Sequence, residues 1–345
     1  MNEYIDQIET WYLKNKRDLP WRRDQEPYHV WISEIMLQQT RIEAVIGYYE
    51  RFMKEIPSIS ALAIISEDRL LKLWEGLGYY NRARNLKRAA IMIEEQYGGV
   101  FPSTYDEIIQ LPGIGDYTAS AISSICFKEK QATIDGNVLR VYTRFYNDFS
   151  NVDVLSVRRR IQREIIAILP EDSGSFNEAL MEIGEVICIP NGNPLCDLCP
   201  LQKGCMARKK NTYFDLPIKK EKKIKKEILY TVFLFQYEDT FVIEKRGSLG
   251  ILSNMWQFPN VEGHLTLQGV KTYLNDRGIC YHRVRKGISY QHIFTHQKWN
   301  MISYLIELKQ PMETVMRKRD CIMENYAIPT AFQPFLKAIM EEDKK

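Results

Sequence analysis

No stretch of the 345-residue chain approaches the roughly 18 consecutive apolar residues of a membrane span, which excludes a spanning helix. No strong charge of either sign is present: 47 Lys and Arg face 44 Asp and Glu, so the +3 balance by itself says little about partners. A secretory leader is not expected, because Met1-Asn2-Glu3-Tyr4-Ile5-Asp6 is acidic and amphipathic. The cysteines are not spread as in a secreted disulfide framework; four of the seven crowd into 188–205. A cytoplasmic protein is the expectation. No internal repeat relates the two halves.

The length suits two domains, each able to bury a core. From residue 1 to about 208 the apolar spacing is helical, as in Tyr4, Ile5, Ile8, Trp11 and Tyr12, with breakers at Pro20, Pro57, Gly98-Gly99, Pro102, Pro112, Pro170 and Pro190. The expectation is an all-α domain of about ten helices over 1–210. Residues 211–227 read as a lysine-rich, solvated linker: six lysines (219, 220, 222, 223, 225 and 226) against two glutamates give +4 over 219–227. After Glu227 the apolar runs 228–235 and 240–243 predict strands around a Glu238-Asp239 turn, 287–308 continues the strand pattern, and helices are expected near 267–276 and 330–341. The second domain, 228–345, is therefore expected to be α+β.

Three groups of residues carry chemistry. In Leu111-Pro112-Gly113-Ile114-Gly115-Asp116-Tyr117, two glycines allow a sharp turn into a small-residue helix over 118–125, and the free amides of such a turn suit a phosphate. Cys188, Cys196, Cys199 and Cys205, separated by seven, two and five residues with no histidine between them, suit zinc or an iron–sulfur cluster equally. The third group is acidic. Glu34 sits in the apolar helix around Val30-Trp31-Ile32; buried there it would keep a proton as a general acid, whereas the plainer reading places it on the helix's polar side with Arg41. Asp135 precedes Gly136-Asn137 and a helix, where dipole and free amides favour its ionised form, and an ordinary N-cap is the alternative. A protonated acid paired with a carboxylate is the arrangement that cleaves a glycosidic bond.

The hairpin with Asp135 resembles the helix-hairpin-helix DNA glycosylase superfamily. Tyr117, where lyase relatives carry a lysine, points within it to the MutY adenine DNA glycosylases. Leu19-Pro20-Trp21-Arg22, Ser33-Glu34, Leu37-Gln38-Gln39-Thr40-Arg41 and Trp74-Glu75-Gly76-Leu77-Gly78-Tyr79-Tyr80 match as well, so that the resemblance covers nearly the whole chain. It implies a four-iron four-sulfur cluster on Cys188, Cys196, Cys199 and Cys205, although the family commonly has six residues, not seven, in the first interval. It further implies that Glu34 protonates a flipped adenine and Asp135 stabilises the sugar cation, with Asn137 and Tyr117 in support. Trp21 and Arg22 would line the adenine pocket, Gly113 and Gly115 would grip the backbone, and Gln39 and Tyr79 would enter the duplex.

The second domain resembles the MutT-related (Nudix-like) module that this family uses to read 8-oxoguanine. Gly250 through Pro259 carries the likeness, and a recognition loop falls at Phe294-Thr295-His296, with threonine where serine is usual. Its helix segment, 263–279, offers only Asp276 as an acid, against the glutamates that a pyrophosphohydrolase needs for magnesium. The implied partner is double-stranded DNA with adenine opposite 8-oxoguanine or guanine, bound by a monomer and not by a membrane protein. The rivals are an oxidised-pyrimidine glycosylase with lyase activity, which wants the absent lysine, a non-catalytic damage-binding protein, and a nucleotide pyrophosphohydrolase.

Overall fold

The structure, a computed structural model, describes residues 1–221 and 224–341, so Lys222 and Lys223 of the expected linker lie outside the described residues. The described chain forms two compact units, and their boundary differs from a simple division in sequence: Ile65–Arg84 groups with the described residues from 224 to 341, while Met1–Ile64 and Asn85–Glu221 form the other unit. Among the described residues no helix is long and apolar enough to cross a membrane.

The first unit is helical. Its frame is the Pro27–Leu37, Asp116–Phe127, Gly136–Tyr146 and Ser173–Val186 helices. Phe176, Leu180 and Ile183 of the last pack with Val138, Leu139, Val141, Tyr142 and Phe145, and with Ile8 and Tyr12 of the Ile5–Asn15 helix, in one core. Close approach requires a glycine here: a Cβ on Gly184 would lie 2.5 Å from that of Asn137. The Pro27–Leu37 helix is buried nearly all round, with Tyr28, Val30, Trp31, Ile32, Ile35 and Met36 inside. Six large apolar side chains at about 2 kcal/mol each outweigh the cost of taking one carboxyl with them. Residues 211–221 are not the free tether that their lysines suggest. Leu216 is buried, its carbonyl takes the Arg144 guanidinium, and the Lys220 amide donates to Asp153, so backbone polar groups and one apolar side chain hold this stretch to the helices.

In the second unit β1 (Lys226–Tyr237) runs parallel to β7 (Gln297–Leu308). The remaining strands are β2 (Thr240–Val242), β3 (Glu244–Lys245), β4 (Trp256–Gln257), β5 (Asn260–Glu262), β6 (Tyr281–Ile293) and β8 (Met316–Lys318). The main sheet runs β6-β7-β1-β2-β8, β5 pairs with β1, and β3 and β4 form a separate pair. Both faces are covered. Val232 and Leu234 pack with Phe332, Phe335 and Leu336 on one side, and Phe233 and Phe235 with Val270 and Leu274 on the other. Two buried faces explain why residues 232–235 read as an unbroken apolar run. Helices form over Leu267–Asp276 and Gln333–Glu341, and a short one over Arg319–Asn325 carries no sequence signal strong enough to anticipate. Segment 65–84 is tied into this unit by Lys72 to the Tyr326 carbonyl, Lys245 to Asp68, and Glu75 to the Ile328 amide.

Candidate active site

Proline and glycine chemistry sets the hairpin. Gly113 adopts φ 81°, where a side chain would also collide with Asn85, and extended Gly115 opens the Asp116–Phe127 helix without a side-chain cap. Its first-turn amides therefore lack an internal partner, as an anion site requires. The helix begins two residues earlier than its small-residue run, bringing Tyr117 into its first turn.

From there the elements converge on a cavity of about 160 Å³ in the first unit, lined by Trp21, Arg22, Glu34, Tyr117, Asp135 and Asn137 together with Arg17, Glu178, Met181 and Glu182. An engineered protein cavity of about 150 Å³ admits a benzene, so this space suits one flat aromatic ring system. Glu34 is 7% exposed, and the reading that placed it on a polar face with Arg41 fails because that helix has almost no solvent side. Burial pushes its carboxyl up to about 7; a hydrogen bond with Tyr117 opposes this, the charges of Glu178 and Asp135 add to it, and Arg22 opposes it. Its Oε2 is buried without a partner, as is Nη1 of Arg22. An unpaired acid oxygen and an unpaired guanidinium donor in one cavity are groups that a ligand would satisfy.

Asp135 is the N-cap of the Gly136–Tyr146 helix, as its sequence setting allowed: the Val138 amide donates to Oδ1 at 2.7 Å, and the Asn137 side chain to Oδ2 at 2.9 Å. These donors favour the ionised form, as expected, but they do not set the net direction. Burial outweighs the amides, Asn137 and Arg140, and raises the carboxyl above its ordinary value. Arg140 in turn donates to Asn137 Oδ1 at 2.7 Å and to the Cys188 carbonyl at 2.6 Å.

Three pocket acids, Glu178, Glu182 and Glu185, escaped the sequence reading. Glu178 and Glu182 lie one turn apart on the Ser173–Val186 helix; Arg22 pairs with both at 3.2 and 2.9 Å, and Arg17 reaches Glu182 at 2.6 Å. Burial raises Glu178, whereas Arg17 and Arg22 overcome burial and hold Glu182 below the usual carboxylate range. With Glu185 they form an i, i+4, i+7 stripe that from sequence reads as a solvated face.

Other expected residues fall elsewhere. Gln39, in the first unit, and Tyr79, in the second, each hold a left-handed backbone, at φ 61° and 48°, a conformation uncommon for residues other than glycine. The Tyr79 hydroxyl lies 2.6 Å from that of Thr295. Thr295 and His296 are exposed at the β6–β7 turn, whereas Phe294 packs on Trp299 and His292 and anchors that turn. Cys188, Cys196, Cys199 and Cys205 line a single cavity with Arg144, Gln202 and Arg208, and Arg144 Nη1 points at Cys188 Sγ from 3.4 Å. Among the described residues no three potential ligands are grouped for a single metal ion. Four thiols lining one cavity, with Arg144 beside Cys188, are a donor set that an iron–sulfur cluster or zinc takes.

These features define a base-excision class of protein. Residues 32–165 match the family described as HhH-GPD superfamily base excision DNA repair protein, and residues 230–338 match the NUDIX domain family. The solved structure of a thermostable thymine-DNA glycosylase is similar with a TM-score of 0.55 and 28% identity, covering 60% of this chain and 96% of that one. The adenine DNA glycosylase of Buchnera aphidicola subsp. Baizongia pistaciae is 40% identical over 259 residues, 74% of this chain and 73% of the relative. That of Buchnera aphidicola subsp. Schizaphis graminum is 36% identical over 305 residues, 87% and 86%. The chain belongs to the adenine DNA glycosylase (MutY) family.

Proposed function

We propose that the protein hydrolyses the N-glycosidic bond of adenine opposite 8-oxoguanine or guanine in duplex DNA, without lyase chemistry. The observation that carries this is the cavity in which Glu34, raised to about 7, shares a space the size of one aromatic heterocycle with Asp135. Extrusion of the base makes its ring nitrogen reachable. Glu34 donates its proton to that nitrogen, the bond from the sugar to the base breaks, and its electron pair leaves with adenine. Positive charge then develops on the sugar beside Asp135. A nearby cation favours the ionised carboxylate and reverses the upward push of burial. Water adds to the sugar carbon and its proton returns to Glu34.

The Arg22 guanidinium, held through Nε by Glu178 and through Nη2 by Glu182, offers its Nη1 as a donor to the base, and Trp21 closes the pocket wall. No lysine lines the pocket among the described residues, in keeping with hydrolysis rather than Schiff-base attack. Gly113 and Gly115 would grip the backbone, and Gln39, Tyr79, Phe294, Thr295 and His296 would serve the duplex and the lesion, the NUDIX-like unit reading the partner base rather than cleaving nucleotides. Cys188, Cys196, Cys199 and Cys205 would hold a four-iron four-sulfur cluster, which when bound supplies a rigid cross-link of the 188–205 loop. Incubation with a duplex carrying adenine opposite 8-oxoguanine tests the reaction. Free adenine and an abasic strand that breaks only after alkali are expected; breakage without alkali, with a borohydride-trapped adduct, would favour the lyase reading.

A further inference from the structure

Glu75 opens a short loop whose shape is expensive. Gly76, Gly78 and Tyr79 follow with φ of 101°, 69° and 48°, and a tyrosine pays a steric cost there that glycine does not. The loop is braced from within. Trp74 Nε1 donates to the Gly78 carbonyl at 3.1 Å, and Arg82 Nη2 donates to the Leu77 carbonyl at 2.9 Å and the Gly78 carbonyl at 3.2 Å. At its tip the half-exposed Tyr79 meets Thr295. At its base the Glu75 carboxylate is a junction with a distant part of the same unit. Oε1 accepts the Ile328 amide at 2.7 Å and the Gln333 side-chain amide at 2.9 Å, while Oε2 takes Lys72 at 2.5 Å.

That junction fixes where the Tyr79 loop begins. We infer that Glu75 is a positioning residue for partner-base discrimination: it locks the loop so that Tyr79 is presented beside Thr295 as one preformed reader of 8-oxoguanine. The inference rests on the adenine–8-oxoguanine reading given above. Without the carboxylate, the Ile328 amide and the Gln333 side chain lose a charged acceptor, and the left-handed turn loses the tether that holds it against its own steric cost.

Single-turnover excision of adenine opposite 8-oxoguanine and opposite guanine, with enzyme concentrations set by active-site titration, tests this for wild type, Glu75→Ala, Glu75→Gln, Tyr79→Ala and the Glu75→Ala/Tyr79→Ala double variant. The preference for the 8-oxoguanine duplex is expected to fall about tenfold in Glu75→Ala, the scale of one charged hydrogen bond. It should fall less in Glu75→Gln, whose amide oxygen still accepts from Ile328, and no further when Glu75→Ala is added to Tyr79→Ala. An unchanged preference in either Glu75 variant, equal losses on both duplexes, or losses that add to those of Tyr79→Ala would overturn the positioning role. A wild-type protein that released no adenine from either duplex would instead overturn the activity.

Discussion

Asn137 and Asp135 form a closed unit: the Asn137 side-chain amide holds one oxygen of the Asp135 carboxylate at 2.9 Å while the Val138 amide holds the other at 2.7 Å. With both oxygens oriented, the carboxylate would meet the sugar cation of the proposed reaction without first reorganising. Asn137→Ala is expected to lower the single-turnover rate by about tenfold to a hundredfold, and Asp135→Asn by more, since the neutral amide removes the charge itself. Circular dichroism and duplex binding should stay close to wild type. Equal rates in Asn137→Ala and wild type would remove Asn137 from the mechanism.

Burial pushes the Glu34 carboxyl up to about 7, so the acid form that the proposed reaction uses is lost as the pH rises through that value. The single-turnover rate should fall across this limb, and Glu34→Gln should bind the mispair but lose about a hundredfold or more in excision at all pH values. Stability changes in the same window. A carboxyl raised above its unfolded value of 4.5 contributes fully only below that value, and its contribution is gone once the pH passes 7. Relative to wild type, Glu34→Gln should therefore gain in Tm between pH 5 and pH 8.

Glu182 has the opposite sign. Arg17 and Arg22 hold its carboxyl low, so its contribution is present above the ordinary carboxylate range and is lost as acid carries the pH through its depressed value. Its side chain is 1% exposed, and removing it leaves two guanidinium groups without their shared partner. Glu182→Leu is expected to destabilise the fold by about 3 kcal/mol, measured by denaturant unfolding. An undiminished stability would show that Arg17 and Arg22 find other partners.

Replacing Cys199 by alanine should abolish bound iron and the visible absorbance of a cluster, and lower Tm, because four thiols share one cavity and three cannot close it. Iron and acid-labile sulfide content check this. Stoichiometric zinc in the wild-type protein, with no iron under anaerobic preparation, would assign the site to the other metal.

Much of this was legible in the sequence where local physics decides. The β1 run is apolar because both sheet faces are covered, and the Gly113 turn needs a residue without a side chain. The state of Glu34 was not legible, since an apolar helix with one acid can be turned either way and only the surrounding helices decide its burial. Glu178 and Glu182 stayed hidden because buried acids spaced by a helical turn have the same pattern as solvated ones until Arg17 and Arg22 arrive from far along the chain. The grouping of segment 65–84 with the second unit depends on contacts such as Glu75 to Ile328, 253 residues apart, which no window of sequence contains.

The most direct test of the central claim is a single-turnover comparison of three duplexes, with adenine opposite 8-oxoguanine, adenine opposite guanine, and thymine glycol opposite adenine. Release of adenine from the first two, fastest from the first, with thymine glycol left intact, is the predicted result. Processing of thymine glycol with both adenines untouched would contradict the assignment of Glu34 and Asp135 to adenine excision.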